Sequence, residues 1–157
     1  MIETSRRTAI LAGLAVLAAP RLARAEAALR LQVWRDPSCG CCGAWIEHMR
    51  AAGFAVEDTL LRDLSAIRRR LGTPLDLVSC HAGLVGGIVL EGHVPAVAVR
   101  RLLDLRTPGI RGLAVPGMPV GAPGMEVPGV APDTYEVIAF GEGRPRGFMR
   151  FRGGEAI

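Results

Sequence analysis

Three of the chain's four cysteines, Cys39, Cys41 and Cys42, crowd into the stretch DPSCGCCGAW that runs from Asp36 to Trp45. A thiolate attacks disulfides and also binds soft metal ions, and a lowered pKa serves both uses. Cys39 and Cys42 have the Cys-x-x-Cys spacing of a redox pair. Cys41 bears on the choice between the two chemistries. Thiol exchange needs one attacking and one resolving thiol, and a third beside the resolving one invites the wrong disulfide. A metal site gains from every added thiolate, because cysteine sulfur favours Cu(I) and zinc. Two bracing disulfides in an exported fold fit less well. Adjacent Cys41 and Cys42 cannot easily reach separate partners, and only Cys80 lies outside the cluster.

Further soft or borderline ligands lie downstream. Cys80 and His81 stand side by side, 38 positions after Cys42. His93 follows across a short apolar stretch; taken alone, a histidine there more often caps a helix or accepts a hydrogen bond than binds metal. His48, one helical turn beyond Trp45, is expected to face solvent. Met118 and Met125 each follow a glycine in VPGMPVGAPGMEVPG, residues 115–129. A thioether suits Cu(I), and it equally suits plugging a loop onto a core.

The elements that must position these groups follow from periodicity and punctuation. Leu31-Gln32-Val33-Trp34 alternates ahead of Asp36-Pro37 and reads as a first strand. Ala44 to Ala52 reads as a helix with Trp45 and Met49 on one face, opened by the cysteine motif and stopped at Gly53. Phe54-Ala55-Val56 reads as a second strand. Leu64, Ile67 and Leu71 recur at helical spacing, with Arg68-Arg69-Arg70 as a solvated end suited to the helix dipole. Leu75–Val78 and Gly86–Leu90 read as strands three and four, and Pro95 to about Leu105 as a helix. Gly109 to Pro132 reads as an ordered Gly/Pro-rich loop. Tyr135–Phe140 and Phe148–Phe151 close the chain as a strand pair. The order β-α-β-α-β-β-α, with Cys-x-x-Cys opening a helix after a strand, predicts an α/β thioredoxin-like domain, a mixed sheet flanked by helices. In such a fold a cis-proline precedes the third strand and faces the cysteine motif. Here Cys80 and His81 would replace or join it, and Pro74 or Pro95 is the candidate equivalent.

The first 25 residues read differently. Ser5-Arg6-Arg7-Thr8 precedes the uncharged run AILAGLAVLAA from Ala9 to Ala19, and Ala23-Arg24-Ala25 has the form of a cleavage site. The run is too short for a helical span, which needs roughly 20 residues. The arginine pair ahead of it resembles a twin-arginine export signal. The expectation is a cleaved signal over 1–25 and one domain over 26–157, exported to an oxidising compartment and not membrane-bound after cleavage. Arg6, Arg7, Arg21 and Arg24 supply much of the chain's formal charge of +4, so the remainder is close to neutral. That balance gives no reason to propose a nucleic-acid partner.

Four segments in this order, DPSCGCCGAWIEHM, SCHAGLVGG, EGHVPA and GLAVPGMPVGAPGME, resemble the CopG-type periplasmic metal-binding proteins of bacterial copper resistance. The resemblance runs from about Leu31 to Phe140. It implies a thioredoxin-like domain, a periplasmic location, copper as Cu(I), and other copper-handling proteins of that compartment as partners. The ligands it implies are Cys39, Cys41, Cys42, Cys80 and His81. His93, Met118 and Met125 match its later motifs and are the further candidate metal ligands. Ala82-Gly83 departs from the family, whose members often carry Thr or Ser after the histidine. Two rivals to copper binding stand: an exported thiol–disulfide oxidoreductase using Cys39 and Cys42, and a structural zinc site of Cys39, Cys42, Cys80 and His81. A binding protein is preferred over an enzyme, with copper or thiol redox chemistry left open.

Overall fold

The computed structural model describes residues 28–157; the expected leader, 1–25, lies outside them. The elements in chain order are β1 (Arg30–Arg35), α1 (Gly40–Ala51), β2 (Ala55–Leu60), α2 (Ser65–Leu71), a 3-10 turn (Leu75–Leu77), β3 (His81–Val85), β4 (Ile88–Glu91), α3 (Ala96–Leu105), β5 (Ile110–Ala114), β6 (Thr134–Gly141), β7 (Arg146–Arg152) and β8 (Glu155–Ala156). The strands form one eight-stranded mixed sheet in the order β2-β1-β3-β4-β5-β6-β7-β8. β1 runs parallel to β2, and β4 parallel to β5; every other neighbouring pair is antiparallel. Among the described residues, no helix is long and apolar enough to cross a membrane.

Strand alternation divides the molecule into layers. Leu31, Val33, Val85 and Leu90 face α1 and α3, where they pack on Trp45, Ile46, Met49, Val99 and Leu102 in the main core. Trp34, Ala82 and Val89 face the other way, towards Leu64, Leu77 and the α2 side chains Ile67 and Leu71. The alternation also decides the polar residues. His81, two positions before Gly83 and four before Val85, lies on the α1 side, where its ring meets Trp45. Glu91, two after Val89, lies on the α2 side and pairs with Arg68.

Several boundaries differ from those read in the sequence. Leu75–Val78 is not the third strand. Its alternation comes from a single 3-10 turn that buries Leu77 and leaves Leu75 89% exposed. β3 starts instead at His81, in a segment whose Ala82-Gly83 masks its strand character. Gly86 and Gly87, expected inside strand four, form the hairpin turn between β3 and β4, and both have the positive φ that such a turn requires. The expected loop after Gly109 begins with β5, which adds to β4 in parallel. Gly112 hides this strand: a Cβ there would collide with the Phe140 ring and the Val89 carbonyl. The run of three arginines is not uniformly solvated either. Arg68 turns inward to Glu91, and Arg70 lies over the Trp34 ring at 5.5 Å.

Candidate metal centre

Asp36-Pro37-Ser38 builds the turn that presents the first cysteine. The Asp36 carboxylate accepts hydrogen bonds from the Ser38 amide and hydroxyl, and the Cys39 amide donates to the Asp36 carbonyl at 3.1 Å. Cys39 is then the N-cap of α1, which places Cys41 and Cys42 in the first helical turn. Cys39 and Cys42 are joined as a disulfide, and Cys41 and Cys80 are free thiols. Cys41 Sγ lies 3.5 Å from Cys39 Sγ. Cys42 is buried; the other three cysteines are half-buried.

The chain reaches the same place again just before β3. The residue directly ahead of that strand is Cys80, and neither Pro74 nor Pro95 is in a cis peptide bond. Cys80 Sγ lies 3.2 Å from His81 Nδ1. Cys39, Cys41, Cys42 and Cys80 thus offer sulfur atoms that all lie within 4.8 Å of one another. A second group, Cys42, Cys80, His81 and His93, meets the same limit and shares two cysteines with the first. All five residues expected to carry the chemistry converge, and His93 joins them.

The imidazoles are held ready by their surroundings. His93 Nδ1 lies 2.7 Å from the Pro123 carbonyl. A carbonyl only accepts, so Nδ1 carries the proton and Nε2 presents a lone pair. The His81 ring lies tilted against Trp45, with centroids 4.2 Å apart, and meets the His93 ring edge-on at 5.1 Å. Nε2 of both histidines is buried without a hydrogen-bond partner. Burial, then the neighbouring His93, holds His81 well below the usual histidine pKa, so it is neutral; burial likewise lowers His93. Two neutral imidazoles with orphaned nitrogens beside four sulfurs fit a soft or borderline metal ion, which would satisfy atoms that lack a partner among the described residues. Burial, reinforced by Cys41, pushes the Cys80 thiol up to about 11. A metal binding there displaces a proton.

The glycine- and proline-rich loop closes one side. Gly124, at φ +84°, sits so close to α1 that a Cβ would lie 2.6 Å from the Trp45 amide nitrogen. This contact, with the Pro123 carbonyl on His93, docks the loop on the motif. The two methionines divide. Met118 is 55% exposed, and Met125 is half-buried in the turn next to Gly124. His48 does not face solvent as expected. Its Nε2 accepts from the Ala96 amide at 3.1 Å and caps α3, the role the sequence had made more natural for His93.

Two residues that hold the backbone next to Cys80 were not singled out in the sequence. Glu91 is fully buried and accepts from the Ser79 amide at 2.8 Å and from Arg68 at 2.7 Å, and Arg68 donates to the Ser79 carbonyl at 2.6 Å. Arg68 stands four positions after Leu64, on the apolar face of α2, and that placement was the available signal.

A family described as "Protein of unknown function, DUF411" matches residues 77–125, the segment from the 3-10 turn through Met125. Two solved structures, forms 1 and 2 of a copper resistance protein copG, are each 42% identical to the chain. They superpose with TM-scores of 0.74 and 0.73, covering 80% and 79% of this chain and 99% and 98% of theirs. The chain belongs to the CopG family. No curated protein matches it. For a CopG-family chain, the cysteine and histidine motifs that carried the resemblance are the residues that meet in space.

Proposed function

We propose that the chain is a periplasmic copper-handling protein that binds Cu(I), its cargo, through Cys39, Cys41, Cys42, Cys80 and His81, with His93 as a further ligand. The observation that carries this reading is the pair of overlapping ligand groups, each within 4.8 Å, with two orphaned imidazole nitrogens at the buried end. That the related structures are copper resistance proteins favours copper over zinc. The strand order β2-β1-β3-β4 with α1 and α3 on one face and α2 on the other supports a thioredoxin-like core, to which β5 to β8 are added.

Loading all four sulfurs requires that the Cys39–Cys42 disulfide first accept two electrons from an external reductant. Four thiolates at this spacing repel, and one monovalent ion cannot neutralise them; sulfurs that bridge several Cu(I) ions relieve the repulsion. The expectation is more than one copper per chain. Copper titration of the reduced protein, read by mass spectrometry under native conditions, tests it, and saturation at one ion removes the multinuclear claim.

The disulfide favours a second reading, an exported thiol–disulfide oxidoreductase using Cys39 and Cys42. That activity would persist without metal, vanish in Cys42→Ser and survive in His81→Ala. Copper binding predicts the reverse emphasis, with His81→Ala weakening uptake.

A further inference from the structure

Cys80 and His81 reach the cluster from an awkward position. Cys80 lies on no regular element, and His81 is the first residue of β3. What fixes such a pair is whatever grips the backbone beside it. The grip here comes from the opposite face of the sheet. Alternation along β4 sends Leu90 into the core under α1 and α3, and Glu91 towards α2. There Glu91 and Arg68 take both backbone groups around Ser79, the amide on the carboxylate and the carbonyl on the guanidinium. The Ser79 hydroxyl donates to the Gly117 carbonyl at 2.9 Å, and the His81 carbonyl accepts from the Gly92 amide at 2.9 Å. Gly92 has φ +73°, and a Cβ on it would lie 2.6 Å from Ser79 Oγ and from the Val115 carbonyl. The strand end therefore fits closely around Ser79.

Resting on the metal-binding reading, we propose that Arg68 and Glu91 are positioning residues for the metal centre. Their fork fixes the backbone on both sides of Ser79, and with it the places of Cys80 Sγ and His81 Nε2 opposite Cys42 and His93. The ionic character of the pair argues for this role. Desolvating two charges offsets most of their attraction, and apolar residues of similar volume stabilise a fold as well or better. Apolar packing does not provide what the pair does here, a planar donor fork and a carboxylate that together set one backbone orientation.

The test compares the reduced wild-type chain with Arg68→Met/Glu91→Leu, which keeps the volume and removes both charges, and with Arg68→Lys, which keeps charge but not the fork. The double variant is expected to unfold as cooperatively as the wild type. Its Cu(I) affinity, measured by competition with a Cu(I) chelator, should fall about tenfold to a hundredfold, the range for partners that orient ligands from behind. Arg68→Lys should fall between. A readout without copper accompanies this. With its ring 4.2 Å from Trp45, His81 should show a ring-current shift in the NMR spectrum of the wild type, and that shift should shrink in the metal-free double variant. An unchanged His81 signal in the folded double variant overturns the proposal, whatever copper does. If that variant does not fold, the same signal in Arg68→Lys decides. A wild-type chain that takes up no Cu(I) removes the copper reading alone, because the His81 signal still reports on the clamp.

Discussion

At the scale of single residues, the site joins two kinds of cysteine position. Cys41 and Cys42 stand in the first turn of a helix, whereas Cys80 has no helix behind it and is raised to about 11 by burial and by Cys41. A raised thiol pKa means the neutral form dominates at pH 7, and the reactive thiolate grows with pH until that value is passed. Alkylation of Cys80 in metal-free protein, followed by mass spectrometry of the modified peptide, should accelerate about tenfold per pH unit through pH 8 to 10. A plateau near pH 8 would contradict the burial argument. The candidate ligand types and their order were legible in the sequence, because sulfur and imidazole carry their chemistry wherever they are placed. The direction of a long charged side chain was not. Arg68-Arg69-Arg70 is one run in the sequence, yet only Arg68, with its side chain 17% exposed, reaches the fully buried Glu91. Nothing local to Glu91 marks it as the acceptor; the pairing arises only when α2 crosses the sheet.

At the scale of elements, the loop after β5 behaves as part of the α1 environment and not as a connection. Gly124 allows this by its positive φ and its approach to the Trp45 amide. Gly124→Ala should lift the loop from the helix and cost about 1–3 kcal/mol in a denaturant titration. The His93 ring signals should move with it, because the Pro123 carbonyl that orients His93 belongs to the same turn. Unchanged stability and unchanged His93 signals would show that the loop is not docked. The element order was readable because apolar periodicity and glycine stops mark most helices and strands. The two missed strands share a physical cause. β3 and β5 contain small residues, Ala82-Gly83 and Gly112, and Gly112 is small because the Phe140 ring packs against it. A residue chosen for close packing carries little strand signal of its own.

At the scale of the whole molecule, the main core extends from Leu31 on β1 through Trp45 and Leu102 to Val137 and Phe151 and consists of apolar side chains packed on one another. Reduced protein stripped by a chelator should therefore keep a cooperative unfolding transition. Cu(I) should raise its midpoint by mass action, about 2.7 kcal/mol at a free concentration one hundred times the dissociation constant. Unfolding on chelation would instead favour a structural zinc centre. The sharing of Cys42 and Cys80 between the two ligand groups has a practical corollary. Removing either cysteine damages both halves, so its phenotype cannot say which half mattered. Cys39 and Cys41 belong to the sulfur half alone, and His81 and His93 to the nitrogen half alone. In the reduced protein, where no bond ties Cys39 to the shared Cys42, those four positions are the separate handles by which each half can be switched off.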